Sequence, residues 1–172
     1  MNYLPEFRFC PVCAGELRSL VIKNGEPERL VCSSCKFVFY QDPKLAACSI
    51  VEVKGKIVLL QRAIDPQKGM WVVPGGFVDR GEEVHAAALR ETEEECGIKT
   101  RLKELLGVYS YPGKVVVVMV YVAEYLSGNL AARDESMDLK LVSPDQIPWD
   151  DLAFQSTVDA LKEYVKRKEH ST

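Results

Sequence analysis

The chain has 172 residues, is 47% hydrophobic and carries a formal net charge of −3 with a sequence pI of about 5.5. This length can bury the core of one full domain and leaves room for a small module. The mildly acidic balance argues against a general binder of nucleic acids or membrane surfaces. The N-terminus lacks the apolar core of a signal peptide, and the longest apolar run, residues 115–123, is too short to span a bilayer. We therefore expect a cytoplasmic protein with no membrane partner.

Two Cys-x-x-Cys pairs lie near the N-terminus, with eighteen residues between them: Cys10 and Cys13, then Cys32 and Cys35. This spacing is typical of a tetrahedral four-cysteine zinc site. Asn24-Gly25 predicts a hairpin turn between the pairs. A redox-active pair is the alternative for either motif, but two matched pairs favour zinc. A segment this short cannot bury enough apolar surface to fold unaided, so we expect the zinc to be structural. We place a zinc ribbon at residues 1–42 and a second domain at residues 43–172.

Two β-rich runs follow, residues 45–53 and 57–62, and Lys54-Gly55 between them predicts a hairpin. Arg62 ends the second strand, where it either contacts a phosphate or forms a surface salt bridge. Trp71 lies in the next strand and either borders a substrate or packs in the core.

The segment at residues 76–98 reads GFVDRGEEVHAAALRETEEECGI and predicts an acidic helix. Glu91, Glu94 and Glu95 stand at positions i, i+3 and i+4, which brings three carboxylates together along one side of the helix. Such like charges repel one another. They either surround a hard divalent cation such as Mg²⁺ or form a solvated acidic face. Gly97 is placed to end the helix in the left-handed conformation.

Two further strands, residues 99–109 and 114–125, are predicted around a turn at Pro112, and we expect residues 115–118 to be buried on both faces. Residues 127–138 are polar and predict a mobile loop. Its Glu135 either approaches the acidic helix or is an ordinary exposed acid. A last helix at residues 155–168 should pack on the sheet, with a frayed tail from Lys166.

The acidic segment resembles the Nudix box, the signature of Nudix hydrolases. Gly76 is followed after five residues by Glu82 and after seven more by the run RETEEECGI at residues 90–98. Thr92 stands where the family usually has a bulky aliphatic residue. Because Thr92 belongs to the apolar stripe of the helix, this departure concerns packing more than chemistry. The resemblance implies an α/β fold, a Nudix-type α/β/α sandwich with a mixed sheet, preceded here by a small β zinc ribbon.

The resemblance also implies roles for individual residues. Mg²⁺ (or Mn²⁺) would be held by the side chains of Glu91, Glu94 and Glu95 and by the backbone carbonyl of Gly76. Glu82 would bind the metal through water or hydrogen-bond to its ligands, and Arg90 would pair with one glutamate and orient it. The general base varies in the family, so Glu94 and Glu135 both remain candidates, and the implied catalytic set is Glu94, Glu95, Arg90 and Glu135.

By resemblance, the reaction is hydrolysis of the pyrophosphate bond in a nucleoside diphosphate derivative, releasing a nucleoside monophosphate. ADP-ribose or FAD is favoured as substrate. NADH comes next, because residues 109–113 lack the tryptophan-and-proline motif of NADH pyrophosphatases. Pro112 resembles a proline of the ADP-ribose-cleaving members, although plain turn chemistry also explains it. With Arg62 and Trp71, Pro112 completes the candidate substrate-binding residues. By analogy, we expect a homodimer.

Two alternatives come from other classes of protein. The first is a catalytically silent Nudix domain that acts as a ligand sensor or as a zinc-ribbon binding module; the intact acidic positions argue against it. The second is a nucleic-acid-processing protein that uses the ribbon as a binding finger. The basic residues of the ribbon are dispersed, so we expect no nucleic-acid partner.

Overall fold

A computed structural model describes residues 7–170 of the chain. The chain divides into two compact units, Met1–Pro43 and Lys44–Thr172. Within the described range, every helix is too short or too polar to cross a membrane.

The N-terminal unit is a small antiparallel sheet in the order β1-β2-β3, formed by Leu17–Leu20, Arg29–Cys32 and Val38–Phe39. The first two strands pair from Leu17 opposite Cys32 to Leu20 opposite Arg29. The hairpin predicted around Asn24-Gly25 is therefore confirmed, and Gly25 adopts a φ of +86° in its connection. From residue 7 onward, the buried hydrophobic residues of this unit are Cys10, Leu17 and Cys32, with Leu30 and Phe39 packed against them. So small a core supplies little stability, which is the condition that a structural metal relieves.

The C-terminal unit contains a mixed sheet of seven strands within the described residues. Five of them are β4 (Lys44–Val53), β5 (Lys56–Arg62), β8 (Ile98–Tyr109), β9 (Val116–Gly128) and β10 (Ser136–Val142). They form the main path of the sheet, in the order β10-β5-β4-β9-β8. Two short strands pair beside this path, β6 (Trp71–Val72) with β5 and β7 (Gly75–Phe77) with β4. The central β4 and β9 run parallel, and the other pairings are antiparallel. The predicted hairpin at Lys54-Gly55 joins β4 to β5, with a φ of +49° and +78° at its two turn residues.

Two helices, α1 (Val84–Cys96) and α2 (Gln155–His170), cover opposite faces of this sheet. Alternate residues of one strand show the arrangement. Ile57 and Leu59 belong to the core cluster that contains Ala160 and Leu161 of α2. Val58 and Leu60 belong to the cluster that contains Cys96 of α1. Because both faces of the central strands are buried, their sequences read as continuous apolar runs. Two short 3₁₀ turns, Pro144–Gln146 and Trp149–Asp151, lead from β10 into α2. The structure is the α/β sandwich with a mixed sheet that the sequence predicted.

Helix α1 ends as predicted, with Gly97 in the left-handed region at φ 69° and ψ 21°. The buried residues of the helix are Ala87, Ala88, Thr92 and Cys96. Thr92 is fully buried, and its hydroxyl donates a 2.7 Å hydrogen bond to the Ala88 carbonyl oxygen. The unusual threonine of the box is thus accommodated without an unpaired polar atom.

Three local predictions are wrong. Val115 is 40% exposed and residues 116–118 are half-buried, because they lie at the end of the sheet opposite residues 44–46, beyond the buried middle of β9. The predicted loop at residues 127–138 is shorter, since β9 extends to Gly128 and β10 begins at Ser136. The tail predicted to fray from Lys166 is helical as far as His170.

Glu52 explains why the end of α2 stays helical. The carboxylate of Glu52, on β4, accepts hydrogen bonds from the Tyr164 hydroxyl at 2.5 Å and the Lys103 ammonium at 3.0 Å, and it pairs with Lys168 at 2.5 Å. Burial alone would raise the pKa of Glu52, but the hydrogen bonds from Lys168, Tyr164 and Lys103 outweigh it and lower the pKa to about 2. Ionised Glu52 therefore fastens α2 to the sheet.

We predict that Glu52→Gln lowers the free energy of unfolding by about 1–3 kcal/mol near pH 7. Because the folded-state pKa lies below the unfolded-state value of 4.5, the contribution of Glu52 is complete above that value and is lost as pH falls toward 2. Urea unfolding of wild type and variant at pH 7 and pH 3 measures this. A difference between the two proteins that is as large at pH 3 as at pH 7 would contradict the assignment.

Candidate active site and metal centres

The turn before α1 holds two of the predicted acidic ligands against backbone. Strand β7 pairs with β4, so Gly75 lies opposite Cys48 and Gly76 opposite Ala47. A Cβ atom added to Gly76 would lie only 2.4–2.5 Å from the carboxylate atoms of Glu91. Only glycine leaves room for that carboxylate. On the next turn of the helix, Glu95 Oε2 accepts a 2.8 Å hydrogen bond from the Gly75 amide.

Arg90 binds three of the box glutamates at once. Its guanidinium donates to Glu82 from Nε and Nη2 at 2.8 and 2.9 Å, and from Nη1 to Glu91 at 2.8 Å and Glu94 at 3.0 Å. Nη2 also reaches the Phe77 carbonyl oxygen at 3.1 Å. The hydrogen bonds from Arg90 are the main reason that the pKa of Glu82 falls to about 2. The sequence predicted that Arg90 orients one glutamate; in the structure it ties the entry loop to two turns of the helix.

Glu95 is the acid that lacks such a partner among the described ion pairs, and its surroundings favour the protonated form. The pKa of Glu95 is raised to about 7, mainly by burial and in part by the charges of Glu91 and Glu135. The hydrogen bond from the Gly75 amide and the charge of Arg62 oppose that rise. Burial likewise raises the pKa of Glu91, against the opposing effect of Arg90. Excess negative charge therefore gathers around Glu91 and Glu95, where a cation would be stabilised.

The donor set at this position fits a hard divalent ion, because carboxylate and carbonyl oxygens are the ligands that Mg²⁺ prefers. The fit also rests on the space that Gly76 leaves for Glu91, which brings carboxylate and backbone together. The acidic oxygens are nevertheless still spread around Arg90. Among the residues that the structure describes, only the four N-terminal cysteines form a group of three or more potential ligands with all donor atoms within 4.8 Å of one another.

The predicted substrate residues lie around the site in different ways. Arg62 and Glu135 both act electrostatically on Glu95. Arg62 also donates from Nε to the Pro66 carbonyl oxygen at 2.8 Å and stacks over Phe154 at 5.0 Å from the ring centroid. No ion pair involves Arg62 within the range 7–170, so the alternative of a surface salt bridge is not seen there.

Trp71 packs against the core cluster on the α2 side, with the Lys140 ammonium 3.6 Å from its ring centroid. Pro112 is exposed in the β8–β9 turn, where the Lys114 amide donates to the Tyr111 carbonyl oxygen. This turn lies at the β7 end of the sheet, because Val118 pairs with Ala46 and Ala46 pairs with Phe77.

Sequence reasoning missed two residues beside the acidic cluster. Cys48 is largely buried, and burial with the charges of Glu95 and Glu91 raises the pKa of its thiol to about 12. Arg133 packs on the C-terminal end of α1, where its guanidinium occupies the space beside Gly97. Strand pairing of Cys48 with Gly75 was not visible in the sequence, and Arg133 lies in a polar segment with no distinguishing pattern.

The four cysteines of the N-terminal unit converge in the manner of a metal centre. Their sulfurs lie 3.7 Å apart for Cys10 and Cys35 and 3.5 Å apart for Cys13 and Cys32. A tetrahedral zinc ion with bonds of about 2.3 Å would hold sulfurs about 3.8 Å apart. Amides donate to two of them, from Val12 to Cys10 and from Cys35 to Cys32, each at 3.4 Å. The second bond lowers the pKa of Cys32 well below its usual range and favours the thiolate that metals bind.

Comparison with known families agrees with this geometry. The model described as "NUDIX domain" matches residues 42–162, and the zinc-ribbon model described as "Nudix N-terminal" matches residues 8–41. The chain belongs to the Nudix hydrolase family and carries the zinc ribbon found in part of that family. It is a Nudix pyrophosphohydrolase.

Several curated proteins are similar to the chain. An ADP-ribose pyrophosphatase of Methanocaldococcus jannaschii is 35% identical over 137 residues, covering 77% of this chain and 79% of that protein. The NAD-capped RNA hydrolase NudC of Vibrio vulnificus is 30% identical over 143 residues, covering 82% of this chain and 52% of that protein. The chain thus spans about half the length of its NudC relatives.

Solved structures show the same fold. A NUDIX hydrolase from Nitrosomonas europaea matches with a TM-score of 0.90 and 34% identity, covering 95% of this chain and 93% of that one. A MutT NUDIX hydrolase from Burkholderia pseudomallei matches with a TM-score of 0.65 and 30% identity, covering 72% of this chain and 98% of that one. The match to the Nitrosomonas europaea protein covers enough of the chain to include both units, whereas the match to the Burkholderia pseudomallei protein covers a smaller part of the chain.

We predict that the purified protein holds close to one zinc ion per chain, because the four sulfurs already have nearly tetrahedral spacing. Cys13→Ser should lower the zinc content and destabilise the ribbon, whereas Ser33→Ala, an exposed change between the second pair of cysteines, should do neither. Elemental analysis by mass spectrometry and titration of reactive thiols measure both effects. Wild-type protein free of zinc, with reactive ribbon thiols, would contradict the assignment.

We also predict that Arg90→Ala lowers the free energy of unfolding by about 1–3 kcal/mol, because it removes charge-assisted hydrogen bonds to three carboxylates and leaves them to repel one another. The matched control is Arg80→Ala, at an exposed arginine of the loop that Arg90 ties to the helix. Urea unfolding at neutral pH compares the two variants with wild type. Equal stability of the two variants would show that the Arg90 network does not hold the loop.

Proposed function

We propose that the protein is a Mg²⁺-dependent hydrolase that cleaves the pyrophosphate bond of a nucleoside diphosphate derivative and releases a nucleoside monophosphate. ADP-ribose is the preferred candidate substrate, with FAD beside it and NADH next. The observation that carries this proposal is the packing of the Glu91 and Glu95 carboxylates against the Gly75-Gly76 backbone. That arrangement offers oxygen ligands and excess negative charge at one point of the surface.

The proposed metal ligands are the side chains of Glu91, Glu94 and Glu95 and the backbone carbonyl of Gly76. Glu82 binds the metal through water or forms hydrogen bonds with these ligands. Bound Mg²⁺ would neutralise the diphosphate oxygens and lower the pKa of the water that it binds. Arg90 fixes the carboxylates that it contacts and so limits the rearrangement that metal binding requires.

Other side chains accept the proton of the attacking water and bind the substrate. A general base must lie within hydrogen-bonding reach of the attacking water. Glu94, about half exposed, and Glu135, whose charge acts on Glu95, remain the two candidates. Arg62 presents a cation on the same side and suits a phosphate oxygen, because guanidinium groups bind phosphate in a planar geometry. Trp71 and Pro112 remain proposed substrate contacts.

Two observations support the choice of substrate. The relative that is 35% identical is an ADP-ribose pyrophosphatase, and this chain covers 79% of its length. Residues 109–113 lack the tryptophan-and-proline motif that the NADH-cleaving members carry.

The zinc is proposed to be structural. The ribbon and the catalytic domain are proposed to occupy residues 1–42 and 43–172, and a homodimer is expected.

A substrate panel tests the proposal. The protein with Mg²⁺ is incubated separately with ADP-ribose, FAD, NADH, NAD⁺, a dinucleoside polyphosphate and a short NAD-capped RNA, and the products are separated by chromatography. We expect AMP from ADP-ribose with the highest kcat/KM and no turnover after removal of divalent ions. Faster cleavage of the capped RNA or of NADH would correct the substrate. No turnover of any compound would refute the proposed activity.

We predict that Glu95→Gln lowers kcat by about 100-fold or more, because a neutral amide is a poor ligand for a hard cation. Glu94→Gln should lower kcat as well. The matched control is Glu93→Gln, on the same helix but exposed and paired with Lys99, which should retain wild-type turnover. Steady-state kinetics on ADP-ribose measure all three. Unchanged turnover in both Glu94→Gln and Glu95→Gln would move the reaction away from this site.

A further inference from the structure

The segment at residues 129–135, between β9 and β10, is fastened to the C-terminal end of α1. The Ala131 amide donates to the Cys96 carbonyl oxygen at 3.1 Å, and the Arg133 amide donates to the Glu95 carbonyl oxygen at 2.9 Å. The last carbonyl groups of a helix have no partner within the helix. This segment therefore satisfies two of them, on the same turn that carries the Glu95 side chain.

The side chain of Arg133 covers the residue that ends the helix. A Cβ atom placed on Gly97 would lie 2.6 Å from Cζ, 2.7 Å from Nε and 2.8 Å from Nη2 of Arg133. Three nearly equal distances mean that the flat face of the guanidinium rests on Gly97. The last turn of α1 has no basic residue, so Arg133 supplies from outside the positive charge that the negative end of a helix favours.

The other end of the same segment reaches the acidic cluster. Asp134 adopts a φ of +48°, and the Ser136 amide donates to the Arg133 carbonyl oxygen at 3.0 Å, so the chain turns tightly after Arg133. The Glu135 carbonyl oxygen then accepts a 2.7 Å hydrogen bond from the Ala63 amide, next to Arg62. The charge of Glu135 is felt at Glu95, which raises the pKa of Glu95. The segment is thus held at both ends, with Glu135 beside the site.

We propose that Arg133 is a positioning residue. By stacking on Gly97, it holds the segment at residues 129–135 so that the Glu135 carboxylate keeps its position relative to Glu95. The inference rests on the proposed function and adds to it a residue that does not touch the substrate. Glu135 is exposed, and without the contact on Gly97 its segment gains conformational freedom that catalysis would have to remove. Small displacements of catalytic groups are costly for turnover.

The test compares Arg133→Ala with Arg101→Ala, which removes another exposed arginine, on β8, that pairs with Glu124 on β9. We expect Arg133→Ala to lower kcat on ADP-ribose about 10-fold or more while KM changes little, because the misplaced group acts in the chemical step. Arg133→Lys keeps the charge but not the planar stack, so we expect it to recover only part of the loss. Arg101→Ala should match wild type.

A second background tests whether Arg133 acts through Glu135. If it does, Arg133→Ala should have almost no effect on kcat once Glu135→Gln is present. A full loss from Arg133→Ala in that background would overturn the proposal, as would wild-type kcat in Arg133→Ala or an unaltered kcat in Glu135→Gln. If Arg133→Ala does not fold, Arg133→Lys takes its place, and wild-type kcat in that variant would overturn the proposal.

Hydrogen exchange gives a readout that does not depend on activity. The amides at positions 131 and 133 should exchange faster in Arg133→Ala than in Arg101→Ala, because their acceptors lie on the helix end that Arg133 covers. Equal exchange in the two variants would refute the contact itself. A wild-type protein that hydrolyses nothing would instead refute the proposed function, while the exchange measurement would still decide whether Arg133 holds the segment.

Discussion

The contact between two helix carboxylates and a glycine turn is the constraint on which the rest of the site depends. Glu91 occupies the space that any side chain at position 76 would need, and Glu95 accepts a hydrogen bond from the Gly75 amide. Both carboxylates are partly removed from water, and neither has its charge fully balanced by a basic side chain. Burying like charges is unfavourable unless a cation joins them. The position of α1, the short β7 strand and the reach of Arg90 all serve to keep these groups together.

The remainder of the catalytic unit provides a rigid support for that contact. The central strands are buried on both faces, so α1 and α2 press on the sheet from opposite sides. Glu52 fastens α2 by accepting from Tyr164 and pairing with Lys168. On the α1 side, Thr92 bonds the helix backbone, and Gly97 ends the helix where Arg133 covers it. The ribbon unit is stabilised separately, by four cysteines around a core of few residues.

Much of this could be predicted from the sequence, because the signals are local. The cysteine spacing, the Lys54-Gly55 turn, the periodicity of α1 and its glycine stop each depend on a few neighbouring residues. The failures concern tertiary context. Lys166 and the residues after it form helix because Lys168 meets Glu52 and Arg167 meets the Leu106 carbonyl oxygen. Residues 115–118 read as buried, yet they lie opposite the start of β4, beyond the buried middle of β9. The three partners of Arg90 and the place of Arg133 depend on turns that only the folded chain brings together.

We expect Glu91, Glu95 and the Gly76 carbonyl to hold a divalent cation. Anomalous diffraction from crystals soaked in Mn²⁺ would locate that ion, because manganese substitutes for magnesium at oxygen sites and its position can be read without assuming the ligands. A manganese peak should lie within about 2.5 Å of oxygens from these three residues. A peak elsewhere on the surface, with the two carboxylates still bound only to Gly75 and Arg90, would show that the cation does not bind at this site.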